Sequence, residues 1–438
     1  MLKPLLCFIF SGLLIVLHAQ RPKNPSDTAL LNLIQEQSFL YTWNQAHPVS
    51  GMAREKAGSD TVNTGASGFS VLATIVGVER KWVKRDSAAL KLIRMTRFLY
   101  QQATAYHGIF PRQMNGITGQ LVATSRKDDG SDLVETAYLF EGLLCAREYF
   151  NQNTRAESDL RNRITALWNE AEWNFHTKDG AKEVLYRNWS PNNGFGTNAE
   201  LRGWKEGLMT YILAAASPQY SIPANVYHKG WAAGPDFKNT KSYFNIKPAL
   251  GGNYVGPLNW FRYPFMALNP KGLKDIYADY WQQHKKHLLI HYNYVLENPR
   301  QFMGYDSLNW GIGAGDSYRG FRNASPLADD GTITIAATVA ALPYMPKEAM
   351  ATLHHIYNNL GDSLWGKYGL YDGYNQTQGW YSKNYIVSNE AIIAVMIENY
   401  RSGLIWNTFM QIPEIRTGLK KLGFNSPSIP AEKSAVKK

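Results

Sequence analysis

The sequence predicts an all-α fold of helix pairs closed into a ring, and three observations carry that expectation. Apolar residues recur at three- and four-residue spacing along almost the whole chain, from Asp27 to Met410. Strand-like alternation is sparse and local. The roughly 34- and 40-residue signatures of helical solenoids are absent, so a closed ring is favoured over an open stack. The 438 residues, 45% hydrophobic and 18% charged, suffice to bury a sizeable core and exclude disordered, collagen-like and coiled-coil classes.

In chain order, Lys3 precedes the apolar run Leu5 to Leu17, which ends in His18-Ala19-Gln20. This fits a secretory signal over residues 1–20, so a periplasmic or secreted product is expected. No later run reaches about 20 apolar residues, so no membrane span is expected. Cys7 lies too early for a lipoprotein cleavage box. Cys145, between Leu144 and Ala146, is then a lone thiol that reads as core.

Amphipathic spacing predicts helices at Asp27–Gln45, Gly68–Val83, Ser87–Ala105, Asp132–Phe150, Arg155–Trp173 and Ala199–Ala215. It continues at Ile276–Glu297, Thr332–Leu342, Lys347–Leu360, Glu390–Tyr400 and Leu404–Met410. At about 35 residues per helix and connection, the loops exceed bundle norms and are long enough to carry a site. Four of them, Arg187–Asn198, Gly230–Pro264, Gly304–Gly331 and Gly369–Asn389, are rich in Gly, Asn, Asp, Trp and Tyr, which points to binding. No linker divides residues 21–424, a single expected domain, and residues 425–438 read as a disordered tail.

The formal net charge of +11 is scattered, with no basic run longer than two residues. No nucleic-acid motif accompanies it, so a nucleic-acid partner is not expected. His284, His287 and His291 share one predicted helix face, yet no acidic or Cys partner joins them at short range, and no metal is expected. Gly311-Ile312-Gly313-Ala314-Gly315 lacks dinucleotide-loop spacing, and no serine-hydrolase elbow or zinc-protease motif occurs.

The densest acidic run is Asp128-Asp129-Gly130-Ser131-Asp132-Leu133-Val134-Glu135, at a helix start. Helical spacing sets Asp132 and Glu135 on one face, where like carboxylates raise a pKa toward neutrality. The same pair also fits a capping box. Glu206, beside Trp204 and ahead of the apolar stretch from Tyr211, is either a desolvated acid or a surface residue paired with Lys205 or Arg202. Asp316, the pair Asp329-Asp330 and Asp372 lie in aromatic loops. With Trp189, Trp204, Trp310, Tyr374 and Trp380 they suit a sugar site, because aromatic faces stack on pyranose rings and carboxylates grip hydroxyls.

At these residues the chain resembles the bacterial glycoamylase-like family, and within it the endo-β-1,2-glucanases of glycoside hydrolase family 144. The resemblance rests on Asn63-Thr64-Gly65-Ala66-Ser67-Gly68-Phe69, Gly77-Val78-Glu79-Arg80, the run Asp128 to Thr136, Trp189-Ser190-Pro191 and Trp204-Lys205-Glu206. Asp329-Asp330-Gly331-Thr332-Ile333 and Met396-Ile397-Glu398-Asn399-Tyr400-Arg401 complete it. It implies an (α/α)6 barrel that cuts β-1,2-glucan internally with inversion, releasing mainly sophorose, as a monomer without cofactor. By motif, Glu206 is the general-acid candidate, and Asp128, Asp132 and Glu135 are the acids expected to matter. Trp189, Trp204, Trp310, Asp316, Tyr374 and Trp380 are the expected substrate contacts. Where many members of the wider family read Asp-Gln-Gly, this chain has Asn389-Glu390-Ala391, so that segment is assigned no base. The alternatives are another polysaccharide-degrading enzyme on the same barrel, a lyase included, and a non-catalytic glycan-binding protein.

Overall fold

The computed structural model describes residues 23–429. The expected signal segment therefore lies outside the described residues. Fifteen helices are described: α1 Asp27–Asn44, α2 Thr64–Glu79, α3 Arg85–Gln101, α4 Leu133–Tyr149, α5 Arg155–Glu170, α6 Leu208–Ala216, α7 Ala224–Lys229 and α8 Asn259–Arg262. They continue as α9 Tyr280–Glu297, α10 Ile335–Ala340, α11 Pro346–Asn359, α12 Gly361–Leu364, α13 Val387–Arg401, α14 Leu404–Gln411 and α15 Pro413–Lys421. The described strands are two or three residues long and pair only within loops. The chain is helical, as periodicity required.

The long helices begin where their capping residues stand. Ser26, Asn63, Asp132, Thr154 and Asp279 each accept a hydrogen bond from a first-turn amide. The helix expected over Ala199–Ala215 starts only at Leu208. Gly203 at φ +82° and the turns around it hold residues 199–207 in a loop, so Glu206 stands just before the helix rather than on it.

At the centre, α2 crosses α4 at glycines. A Cβ on Gly68 would lie 1.9 Å from the Tyr138 carbonyl oxygen, and one on Gly142 would lie 2.1 Å from that of Gly68. Only hydrogen at both positions admits so close a crossing. On its other face α2 meets α13, where the half-buried Arg80 pairs with the buried Glu398 at 2.6 Å; Gln35 of α1 donates to the same carboxylate at 3.0 Å. Asn399 holds the Met266 carbonyl at 2.8 Å and accepts from the Trp406 amide at 3.2 Å. Two of the resembling segments, Gly77–Arg80 and Met396–Arg401, thus join the first helices to a late one.

The chain remains packed past residue 424. Asn425 exchanges backbone hydrogen bonds with Lys274 at 2.8 and 2.7 Å, and Ser426 is buried. Residues 425–429 of the expected tail thus belong to the packed chain, and the rest of it lies outside the described residues. Cys145 is buried in the core, and its surroundings hold its thiol well above the ordinary range by desolvation. No described helix is long and apolar enough to cross a membrane.

Candidate active site

The starting ends of α2, α4 and α6 converge. Asp132 ends a two-residue strand whose partner is Asn188–Trp189, and this pairing brings Arg187 alongside the start of α4. Asp132 Oδ1 caps α4 by accepting from the amides of Val134 and Glu135, at 3.0 and 3.1 Å. Its Oδ2 accepts from Arg187 Nε at 2.9 Å. The helix cap and the carboxyl cluster are thus one structure, built on the two oxygens of Asp132.

Arg187 is shared. Its Nη1 donates to Glu206 Oε1 at 2.7 Å, and its Nη2 lies 3.7 Å from Glu135 Oε1. One guanidinium thereby faces three carboxyls, with Arg112 a further 3.9 Å contact to Glu135. Gly65 makes the approach of Glu135 possible. Its amide donates to Glu135 Oε2 at 3.2 Å, and a Cβ there would fall 2.3 Å from the same oxygen. Burial, then the neighbouring Asp132 charge, pushes the Glu135 carboxyl up to about 7. The glutamates differ in access, with side chains 14% exposed at Glu135 and 25% at Glu206. A cavity of about 160 Å³ opens beside Glu206, lined also by Arg187, Leu201, Arg202 and Lys205. Tyr138 donates to the Glu206 carbonyl at 3.0 Å and meets the half-buried Tyr263 ring edge to face.

The other expected residues divide. Asp128 makes its side-chain bonds with Asn188, at 2.8 Å, and with Thr124, and so fastens the loop ahead of α4. Trp189 is half-buried, near Tyr106, His107 and Phe175, and Trp380 is also half-buried. Three expected sugar contacts are corrected: Trp204, Trp310 and Tyr374 are at most 2% exposed. Trp204 stacks on Tyr280, Trp310 meets Tyr292 edge to face, and the Tyr374 hydroxyl donates to Asn309 at 2.9 Å. Large aromatics next to Gly and Asp in a sequence look like loop platforms, but here the loops fold inward and bury them. Asp316 is nearly buried and accepts from Ser382 Oγ and Asn384 Nδ2 at 2.7 and 2.9 Å.

The three histidines face the core. His284 pairs with the Tyr344 hydroxyl at 3.2 Å, while His287 and His291 reach the Gly256 carbonyl at 2.9 and 3.1 Å. Among the described residues no group of His, Cys, Asp and Glu is arranged to hold a metal. Sequence reasoning missed Arg187, Arg112, Gly65 and Tyr263 as parts of the site. Gly65 lies inside a resembling segment, and Arg187 and Tyr263 fall in two of the loops read as binding loops, but nothing in the sequence singled out these residues within them.

Carboxyls gathered at helix starts beside a cavity suit acid–base attack on a glycosidic bond, the chemistry of a helical glycoside hydrolase. The Glycoamylase family profile matches residues 198–413. The exo β-1,2-glucooligosaccharide sophorohydrolase (non-reducing end) of Parabacteroides distasonis is 36% identical over 91% of this chain, which spans 58% of that protein's length. The endo-β-1,2-glucanase of Chitinophaga pinensis, solved with sophorotriose and glucose, is 39% identical at a TM-score of 0.89, covering 92% of this chain and 100% of that one. The chain belongs to the glycoamylase-like family of glycoside hydrolases. A glucoamylase from Saccharomycopsis fibuligera shares the fold alone, at 10% identity and a TM-score of 0.52, covering 86% of this chain and 96% of that one.

Proposed function

We propose that the protein is an endo-acting β-1,2-glucanase on an (α/α)6 barrel, releasing sophorose and short oligosaccharides with inversion. The observation that carries the reading is the sharing of Arg187 among Asp132, Glu135 and Glu206. Three carboxyls around one guanidinium leave excess negative charge, so the cluster takes up a proton near neutrality. In the free enzyme that proton rests on Glu135. Glu206, more exposed and beside the cavity, is the group placed to protonate the leaving oxygen as the bond breaks, taking up its own proton from the solvent that reaches the cavity. Asp132 is buried with both oxygens engaged, so it orients Arg187 and does not itself touch sugar.

Both relatives act on β-1,2-linked glucans, which supports the linkage. Half-exposed Trp189 and Trp380, on separate loops, support a chain running through the cleft, because each offers a platform to a different sugar.

The test is incubation of the purified protein with linear β-1,2-glucan beside β-1,3-glucan, β-1,4-glucan and starch, with products separated by size over time. A spread of intermediate lengths from the β-1,2 polymer alone is expected. Sophorose alone from the first minutes would make the enzyme exo-acting, and cleavage of another polymer would discard the linkage. Glu206→Gln is expected to abolish turnover while melting temperature and glucan binding persist; retained turnover removes Glu206 from the acid role.

A further inference from the structure

Arg262, the last residue of α8, is 1% exposed, and none of its three guanidinium nitrogens has a hydrogen-bond partner among the described residues. A buried cation with every donor unused is costly, and proteins retain such a group where something else satisfies it. Its surroundings are polar and incomplete in a complementary way. Asp372, 3% exposed, is within its electrostatic reach and is itself bonded by the Asn389 side-chain amide and the Asp316 backbone amide, both at 2.6 Å. The Asn389 side-chain oxygen has no partner, nor has that of Asn259, three residues before Arg262 on the same helix face. Gly313 lies against the fork, since a Cβ there would stand 3.4 Å from Arg262 Nη2.

Unsatisfied donors on Arg262 and unsatisfied acceptors on Asn389 and Asn259 fit one common ligand chemistry, the hydroxyl group, which needs both. The place fits too. Tyr263, adjacent to Arg262, is within electrostatic reach of Glu135 and Glu206, and Ser388, the neighbour of Asn389, lies close to it. Tyr263 and Ser388 are half-buried. The backbone leading to α8 is strained: Tyr254 and Val255 have φ of 51° and 66°, a region a β-branched residue rarely occupies.

We propose that Arg262, Asp372, Asn389 and Asn259 form a sugar subsite that grips the hydroxyls of one glucosyl residue of the substrate chain. The strained segment before α8 yields as that residue enters. This rests on the glucanase reading given above and adds to it a binding station remote in sequence from the acids.

The experiment compares wild type with Arg262→Met, which keeps the aliphatic stem and removes every donor, using linear β-1,2-gluco-oligosaccharides. KM is expected to rise about tenfold or more with kcat within about threefold, the loss of a charged hydrogen bond to bound sugar. Arg262→Lys is expected to recover part of the affinity. A folded Arg262→Met protein with unchanged KM overturns the proposal, whatever its melting temperature. If Arg262→Met does not fold, Arg262→Lys decides, with a KM rise of about threefold expected and none overturning the subsite. Should the wild type cleave no glucan, the glucanase reading fails by itself. Calorimetric titration with sophorose then tests the subsite: binding by wild type and about tenfold weaker binding by Arg262→Met is expected. Equal or absent binding overturns it.

Discussion

Arg187 illustrates how much one side chain can hold. Asp132 is buried, and its outward oxygen has only this guanidinium to answer it. Arg187→Ala is expected to lower stability by about 3 kcal/mol, as for a buried pair stripped of one partner, and to reduce kcat by at least about tenfold. Denaturant unfolding and single-substrate kinetics check the two separately. Glu135 supplies a pH prediction. Its folded-state value, about 7, lies above the ordinary glutamate value of 4.5, so its protonated form favours folding. That contribution is complete below about 4.5 and is lost as pH rises through about 7. Activity should follow the same proton, with kcat/KM falling above about pH 7, and Glu135→Gln should flatten that limb. None of this was legible from spacing, since Arg187 lies 55 residues beyond Asp132 and only the fold brings them together.

Helices were the most legible elements because burying one face imposes a period that no loop imitates for long. α1 and α4 begin and end within a residue or so of where periodicity set them. The failure at 199–207 has a cause: Gly203 and its neighbours break the ladder despite apolar spacing. The α2–α4 crossing yields a prediction at this scale. Gly68→Ala inserts a methyl group into the Tyr138 carbonyl and is expected to cost at least about 1–3 kcal/mol, measurable as a lower denaturant midpoint. α9 offers another. Burial holds His284, His287 and His291 below the ordinary imidazole range, His291 at about 4. Neutral histidines thus support stability above about 6.5 and withdraw it as pH falls toward 4. Melting temperature should decline over that interval, and His291→Gln should lessen the slope.

Across the whole molecule, the sequence foretold helices and long loops but not which aromatics the loops would bury. Trp204 and Trp310 look alike in sequence to Trp189, and only packing separates core from cleft. The ties between distant parts are equally silent in sequence. Arg80 meets Glu398 across 318 residues, and Gln35 joins the same carboxylate across 363. Glu398→Ala is expected to strip both and to lower stability by about 3 kcal/mol, while leaving KM close to wild type because the pair lies away from the cleft.

That closure between early and late helices has a consequence for biosynthesis. α2 supplies Gly65 to the site, yet its other flank is covered only when α13 arrives, after residue 386 has been made. A nascent chain holding all its carboxyls therefore still lacks the wall that seats them. Premature termination before α13 should yield no partial hydrolase, and the catalyst comes into being as a unit only once α13 is complete.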